Sequence, residues 1–467
     1  MEQTTLFSQI VLALSVPIGI ALFFFTTPPR ALVLVALGSE LFMPEVTNFK
    51  LPFMPAWDKH TLPYVCALIA CLMKCPRRVT KVPEERWILI LTVLVLGGGI
   101  ATGLANNHIM ERPFLSPLPG LNLKDALSVG VTSFVESAMP FYVGYVLFRR
   151  GADLRLLLAG FSVGAAIYVP FELWEIRMSP QLHRQVYGFF QDAFEETVRW
   201  GGYRPLVFMK HGLALARFSV IAVMAPFVFG ARRPVFGVPW TVMRWVLMGM
   251  LILCKSTGAV LYVMLTLPLL LWAKPRRQLG MAVLFAAIVA LYPTLRLSAL
   301  FPTDQILQAS NSIVGAERTQ SVQFRFDNEE KLLTHARERP LLGWGTYGRN
   351  FVFDRYGRPA VSDGYWIIQF GQLGQVGFVG TFGLLLIPIW LCRRRFKWIG
   401  DPDDRRLIAG TGLILAIVSM DLLPNGMWGL YPFLLAGALA GVTREMMLAS
   451  QQQHAAAAAG VRYARVA

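Results

Sequence analysis

FPTDQILQASNSIVGAERTQSVQFRFDNEEKLLTHARERPLLGWGTYGRNFVFDRYGRPAVS, residues 301–362, is a long polar stretch set between two strongly apolar ones. It carries Arg318, Arg325, Lys331, Arg337, Arg339, Arg349, Arg355 and Arg358. Positive charge beside membrane spans normally stays cytoplasmic. The side on which this segment falls therefore decides how the whole chain is read.

The rest of the chain is mostly apolar blocks, several of them near the roughly 20 residues that a transmembrane helix needs. We read them at about 6–25, 31–44, 60–73, 87–105, 126–148, 155–174, 208–229, 240–254, 258–273, 279–300, 364–391, 407–422 and 428–443. The second, third and eighth are short. The expected fold is an all-α polytopic membrane protein with 12 or 13 transmembrane helices and the long loop before the last three. Composition agrees: the chain is 55% hydrophobic and 15% charged, with mean hydropathy +0.50. Soluble domains carry about 25% charged residues. Met1 to Thr5 has no positive n-region, so the first block reads as a retained span and not a cleaved signal.

Short-loop charge gives the orientation. Lys74, Arg77, Arg78, Lys81 and Arg86 share one loop; Arg149 and Arg150, Arg232 and Arg233, and Lys274, Arg276 and Arg277 occupy three more. A fifth holds Arg393, Arg394, Arg395, Lys397, Arg405 and Arg406. All five fall on the same side of the alternation, so that side is cytoplasmic. Residues 106–125, 175–207, the turn at Lys255 and 301–362 then lie outside. The layout is 1–300 transmembrane helices with short loops, 301–362 an outer loop with a helix at about 327–339, 363–445 C-terminal transmembrane helices, and 446–467 a disordered cytoplasmic tail. The formal net charge of +16 is divided between two sides of a membrane, which does not suggest nucleic acid as a partner. The five cysteines are odd in number and match no metal spacing.

Basic groups on the outside point to an anionic substrate, and a lipid-linked pyrophosphate is the obvious one. Arg204 and Lys210 precede the span that carries Arg217, and Lys210, Ala214 and Arg217 would share a helical face. Lys255 sits in an outer turn, and Arg325 in the long loop. Snorkelling anchors are the plain alternative for the two lysines. Arg217 and Glu136 both lie deep in their spans, about 13 and 15 Å at 1.5 Å per residue. They could form an ion pair or serve a cavity. Asp363 stands where the loop re-enters the membrane, either as a general base or as the N-cap of the next helix. Asp327 followed by Glu330 reads as a capping box. Gly343-Trp344-Gly345-Thr346-Tyr347-Gly348 fits a tight turn better than a dinucleotide site, since no βαβ unit surrounds it. Asp401-Pro402-Asp403-Asp404 reads as a cytoplasmic solvated turn. We expect no metal and no cofactor.

This layout resembles the O-antigen ligase and O-antigen polymerase superfamily of bacterial inner-membrane glycosyltransferases. The resemblance rests on the long outer loop and on four local matches. These are Gly202-Tyr203-Arg204 before His211-Gly212-Leu213-Ala214; Lys255-Ser256-Thr257-Gly258-Ala259; Arg325 ahead of Arg339-Pro340-Leu341-Leu342-Gly343-Trp344-Gly345; and Asp363-Gly364-Tyr365-Trp366. It implies an undecaprenyl-pyrophosphate-linked oligosaccharide as substrate, handled on the periplasmic face. Arg204, Lys210, Arg217, Lys255 and Arg325 would hold the pyrophosphate, and Asp363, with His211 and His335 next in line, would act as base. Flippase and chain-length regulator proteins are implied partners, beside membrane lipid. A ligase typically has a histidine where this chain has Asp363. That departure, with Lys255-Ser256 where the family has Ser-Arg, favours a polymerase of exopolysaccharide, capsule or O-antigen over a ligase acting on lipid A core. A transporter or flippase of an anionic lipid-linked substrate is the alternative from another class. An enzyme needs the 301–362 loop packed over a cavity that holds Arg325 and Asp363.

Overall fold

The computed structural model describes residues 4–50, 55–80, 83–112, 115–230, 234–427 and 429–458. Every apolar segment expected as a span is helical: α1 (Leu6–Phe25), α2 (Pro28–Phe42), α3 (Leu62–Lys74), α4 (Arg86–Ala105), α5 (Leu123–Leu147), α6 (Gly151–Met178), α7 (Gly212–Val228), α8 (Trp240–Leu253), α9 (Thr257–Trp272) and α10 (Pro275–Leu297). After the long loop come α13 (Tyr365–Arg395), α14 (Pro402–Asp421) and α15 (Tyr431–Ala458), while α11 (Thr303–Val314) and α12 (Ala316–Arg337) belong to the loop itself. Among the described residues seven helices, α1, α4, α5, α6, α10, α13 and α15, are long and apolar enough to cross a membrane. Helices α3, α7, α8 and α9 are apolar but shorter. The protein is an all-α polytopic membrane protein. Lys81, Arg232 and Arg233, used above for orientation, lie outside the described residues.

Among the described residues the two-stranded hairpins fall in loops assigned to the outer side: β1 (Asn48–Lys50) with β2 (Ala56–Asp58), β3 (Met110–Arg112) with β4 (Leu115–Leu118), and β5 (Val198–Arg199) with β6 (Gly202–Tyr203). The central helices α7 and α14 are buried along most of their length, and α7 packs against α6, α9 and α14. Exposed large apolar side chains such as Phe25, Trp245, Met264 and Trp272 belong to peripheral helices, as a lipid-facing surface requires.

Helix α13 is broken at Gly374, whose backbone sits at φ 63°, ψ −160°. Segment 340–345 fills the break. Trp344 and Gly345 donate to the carbonyls of Gly371 and Gln372 at 2.9 and 2.8 Å, and Gln375 donates to Pro340 O at 2.8 Å. A Cβ on Gly374 would lie 2.4 Å from the Leu341 carbonyl, and one on Gly343 would lie 2.6 Å from Gln372. Both glycines are required by the approach of the two backbones as well as by their positive φ. The glycine-rich turn is therefore a tight turn that enters the bundle about 14 Å along α13, at 1.5 Å per residue.

The loop helix begins at Ala316 and not at about 327. Nothing in 316–326 breaks a helix, and Gly315 at φ 84° supplies the break before it. Asp327 is thus an exposed mid-helix residue and caps nothing. Its acidic neighbours dock the helix instead. Glu329 accepts from Arg296 Nε (2.7 Å), Tyr292 OH (3.0 Å) and Trp366 Nε1 (3.0 Å), while Leu332, Leu333 and Ala336 are buried beneath. At the other end of the chain, α15 continues to Ala458 through residues expected to be disordered. The alanines and glutamines there are good helix formers with no Gly or Pro among them. Residues 459–467 lie outside the described residues.

Candidate functional site

The outer ends of the helices bring together residues from four segments: the 192–211 loop, the turn after α8, α12, and the entry to α13. Glu175, buried near the outer end of α6, accepts backbone N–H groups from Leu182 (3.2 Å), Leu206 (2.7 Å) and Val207 (2.7 Å). This carboxylate fixes the stretch just after Arg204. Arg204 itself is 1% exposed. Its Nε donates to Cys254 O at 3.1 Å, while neither terminal nitrogen has a hydrogen-bond partner. Gly212 makes room for it, since a Cβ there would stand 2.3 Å from Arg204 Nε. Burial, and then the charge of Arg199, lower its pKa to about 10, so the group stays cationic at neutral pH. Leaving two guanidinium nitrogens buried and unpaired costs about 1–3 kcal/mol for each orphaned group. An incoming anion with several oxygens would recover that cost.

His211 is the N-cap of α7. Its Nδ1 accepts from Leu213 N–H (3.0 Å), so the ring proton belongs on Nε2, which faces Glu196 Oε2 at 2.9 Å and Asp192 Oδ2 at 3.8 Å. Burial, with Arg204 next, holds the His211 pKa below its ordinary value, and Asp192 and Glu196 do not fully offset them. The imidazole is thus a neutral donor that orients Glu196, a half-exposed carboxylate. With Nδ1 committed to the backbone, His211 is poorly placed to accept a proton.

Asp363 lies near this pair. Arg325 Nε is 3.7 Å from Asp363 Oδ2, and Arg325 also donates to Pro424 O at 3.1 Å. The N-cap position of α13 belongs to Gly364, with no side-chain capping bond. Of the two readings left open for Asp363, the cap is therefore not the one its geometry fits. Burial raises its pKa, Arg325 opposes, Glu196 adds to the rise and His211 opposes; the net direction is up. Lys255, at φ 50° in its turn, donates to Arg199 O at 2.7 Å, and its ammonium lies against Gly202. Partial burial moves its pKa down.

Arg217 does not pair with Glu136. Its Nε binds Asp421 Oδ2 at 2.7 Å, and Asn425 Nδ2 donates to Asp421 Oδ1 at 2.5 Å. Equal depth said nothing about lateral position: α7 packs on α14, which carries Asp421, whereas Glu136 sits on a π-helical turn (Phe134–Ala138) of α5. Arg217 and Asp421 line a narrow pocket with Ser256, Tyr262 and Asn425, and both terminal nitrogens of Arg217 lack partners. Lys210 does not share a helical face with Arg217, because α7 starts at Gly212; Lys210 is exposed ahead of it.

His335 is not brought to this cluster. It lies on the face of α12 away from Arg325, stacked on Trp344 with ring centroids 4.3 Å apart and bonded through Nε2 to Arg349 O. Most loop cations are likewise committed to loop structure. Arg337 pairs with Glu330, Arg358 with Asp354, Arg339 binds Ala105 O and Asn106 Oδ1, and Arg349 binds the Pro119 and His108 carbonyls. The side chain of Arg318 lies outside the described residues. The broad cationic surface expected from composition thus narrows to Arg325 at the site. Glu196, Asp192 and Glu175 were not singled out in the sequence. The acidic run in an otherwise basic outer side was the available signal for the first two.

The family model described as O-antigen ligase matches residues 242–370. That match covers little more than a quarter of the chain and supports its resemblance to the O-antigen ligase and polymerase superfamily. The matched segment contains Lys255, Arg325, His335 and Asp363, but not Arg204, Lys210, His211 or Arg217. No curated protein matches the chain. The match and the apolar helices indicate a multi-pass protein of the bacterial inner membrane; members of the matched family are glycosyltransferase-like enzymes, and the family implies lipid-linked oligosaccharide substrates.

Proposed function

We propose that the protein polymerises a polysaccharide (exopolysaccharide, capsule or O-antigen) by transferring glycan between undecaprenyl-pyrophosphate-linked oligosaccharides on the periplasmic face. The observation that carries this reading is Arg204: a buried guanidinium with both terminal nitrogens unpartnered, within electrostatic reach of Arg325, Glu196 and Arg199. A pyrophosphate supplies the oxygens it lacks. In the reaction, an acceptor hydroxyl attacks the anomeric carbon of the donor sugar, the bond from that carbon to the pyrophosphate oxygen breaks, and lipid pyrophosphate leaves with the electron pair. Arg204, with Arg325 and Lys255 nearby, stabilises charge developing on that leaving group. Asp363 takes the hydroxyl proton, its raised pKa suiting it to proton transfer nearer neutral pH. Glu196, held by His211, is the neighbouring carboxylate. Substrate delivery by a flippase and length control by a regulator protein fit this reading as partners. The carboxylate at 363, where a ligase has a histidine, supports polymerase over ligase.

The test is reconstitution in lipid vesicles with undecaprenyl-pyrophosphate-linked repeat units. Lengthened glycan on the lipid, with release of undecaprenyl pyrophosphate, is the expected result. Transfer to added lipid A core with no self-lengthening would make the protein a ligase. Movement of intact lipid-linked substrate across the bilayer with no new glycosidic bond would make it a transporter.

A further inference from the structure

A second opening lies on the far face of α12. In this helix Arg325, Glu329, Leu332 and Ala336 follow a 3–4 spacing and face the bundle and the reactive cluster. Lys331, Thr334, His335 and Glu338 face the other way. They line a cavity of about 520 Å³ closed on its far side by the β3 strand and by Phe351–Phe353. The volume falls in the range of roughly 300–1,000 Å³ of small-ligand sites.

The walls are built. Arg339 stacks on Trp344 with its guanidinium 4.4 Å from the ring centroid, bonds His108 Nε2 at 2.6 Å, and is tied to Asn106 Oδ1 at 2.9 Å. His335 covers Trp344 at an interplanar angle of 12°. Arg112 binds Ser116 O and lies over Phe353 at 5.5 Å. These groups fix the shape and leave other polar groups exposed at the mouth, among them Lys331, Thr334, Glu338 and Glu111.

The lining mixes donors with acceptors: with Arg112 and Arg339 committed to the walls, Lys331 is left facing the carboxylates of Glu111 and Glu338, a balance that is not cationic, and Ile109, Met110 and Val352 add apolar patches. That balance does not suit a polyphosphate. It suits a ligand that presents hydroxyls on its rim and C–H groups on its faces, which is a saccharide. We propose that this cavity is a second oligosaccharide-binding site, separated by α12 from the transfer site, that holds sugars of the glycan away from the reacting end. The inference rests on the glycan-transfer reading above. A glycan held there stays tethered while its lipid-linked end is exchanged at the Arg204–Asp363 side, so occupancy sets how long the polymer grows before it dissociates.

The experiment uses the full chain in lipid nanodiscs and, as probe, oligosaccharides obtained by partial hydrolysis of the polysaccharide that the host cells export. Thr334→Trp fills the cavity from an exposed helix position. A second variant, Lys331→Ala with Glu338→Ala, removes polar groups without adding bulk. Each should weaken oligosaccharide binding about tenfold, the size of one or two lost hydrogen bonds, and shorten the polymer. Inhibition by inorganic pyrophosphate should keep its parental concentration dependence in both, showing that the transfer site is intact. Parental oligosaccharide affinity and parental chain length in both variants would overturn the proposal, as would a parent protein that transfers glycan yet binds no free oligosaccharide. A parent that binds the oligosaccharide but forms no glycosidic bond would overturn the proposed function and leave the binding site standing.

Discussion

The two ends of the bundle differ in how fully their buried cations are met. At the cytoplasmic end, basic residues find carboxylates: Arg155 with Asp404, Arg149 with Glu445, Arg395 with Glu85, and Arg444 with Glu84, Glu85 and Glu445. At the opposite end Arg296, Arg337 and Arg358 also find carboxylates, but Arg204 keeps both buried terminal nitrogens without partners, and Arg217, although its Nε binds Asp421, leaves its terminal nitrogens without partners. Partly exposed pairs such as Arg155 with Asp404 contribute little stability, about 0–1 kcal/mol each. Unpaired buried ones are costly to maintain. On the proposed function, an anionic substrate recovers that cost at Arg204. The comparison predicts that equivalent substitutions at the two ends differ greatly in effect.

The largest effect is expected at Asp363. Asp363→Asn keeps the size and hydrogen bonding of the side chain but cannot take a proton, so transfer should fall about 100-fold or more at normal protein level. A rate within a few-fold of the parent, measured with reconstituted lipid-linked repeat units, would move the base to Glu196. Arg204→Ala comes next. Losing charge-assisted hydrogen bonds of about 1.5–3 kcal/mol in total corresponds to a loss of roughly 10- to 150-fold. Lys at 204 should recover only part of it, because a single ammonium cannot replace the planar fork.

Arg325→Ala sharpens the contrast through pH. Burial raises the pKa of Asp363 and Arg325 pulls it back down. Removing Arg325 lets the carboxyl rise further, so on acidification the variant should lose activity at a higher pH than the parent. An acid limb that stays in place, or moves down, would separate Arg325 from Asp363. The smallest effect is expected at the cytoplasmic end. Arg155→Ala breaks a half-exposed pair with Asp404, and transfer should remain within about twofold, with a stability change of no more than about 1 kcal/mol. A loss comparable to that of Arg204→Ala would erase the distinction between the two ends.

Sequence alone determined the all-helical membrane class, because apolar blocks of spanning length leave the backbone no other way to satisfy its polar groups in lipid. It also carries an expectation of sidedness, since Lys and Arg clusters recur in alternate loops. From local motifs it placed Arg204, His211, Lys255, Arg325 and Asp363 on one side of the membrane. Partners were a different matter. Which carboxylate meets Arg217 depends on which helices are neighbours, and α14 is far from α7 in the chain but packed against it. Depth along a helix follows from counting residues; azimuth and neighbour do not. The break in α13 was equally hidden, because Gly374 is one of several glycines spaced along that helix and only the approach of Leu341 distinguishes it. The loop cations illustrate the same limit. Arg325, Arg337, Arg339 and Arg349 are alike as letters, yet Arg337 is taken up by Glu330, Arg339 and Arg349 by carbonyls and an amide of the neighbouring 105–119 segment, and Arg325 reaches Asp363. Which groups each arginine meets is decided by three-dimensional packing.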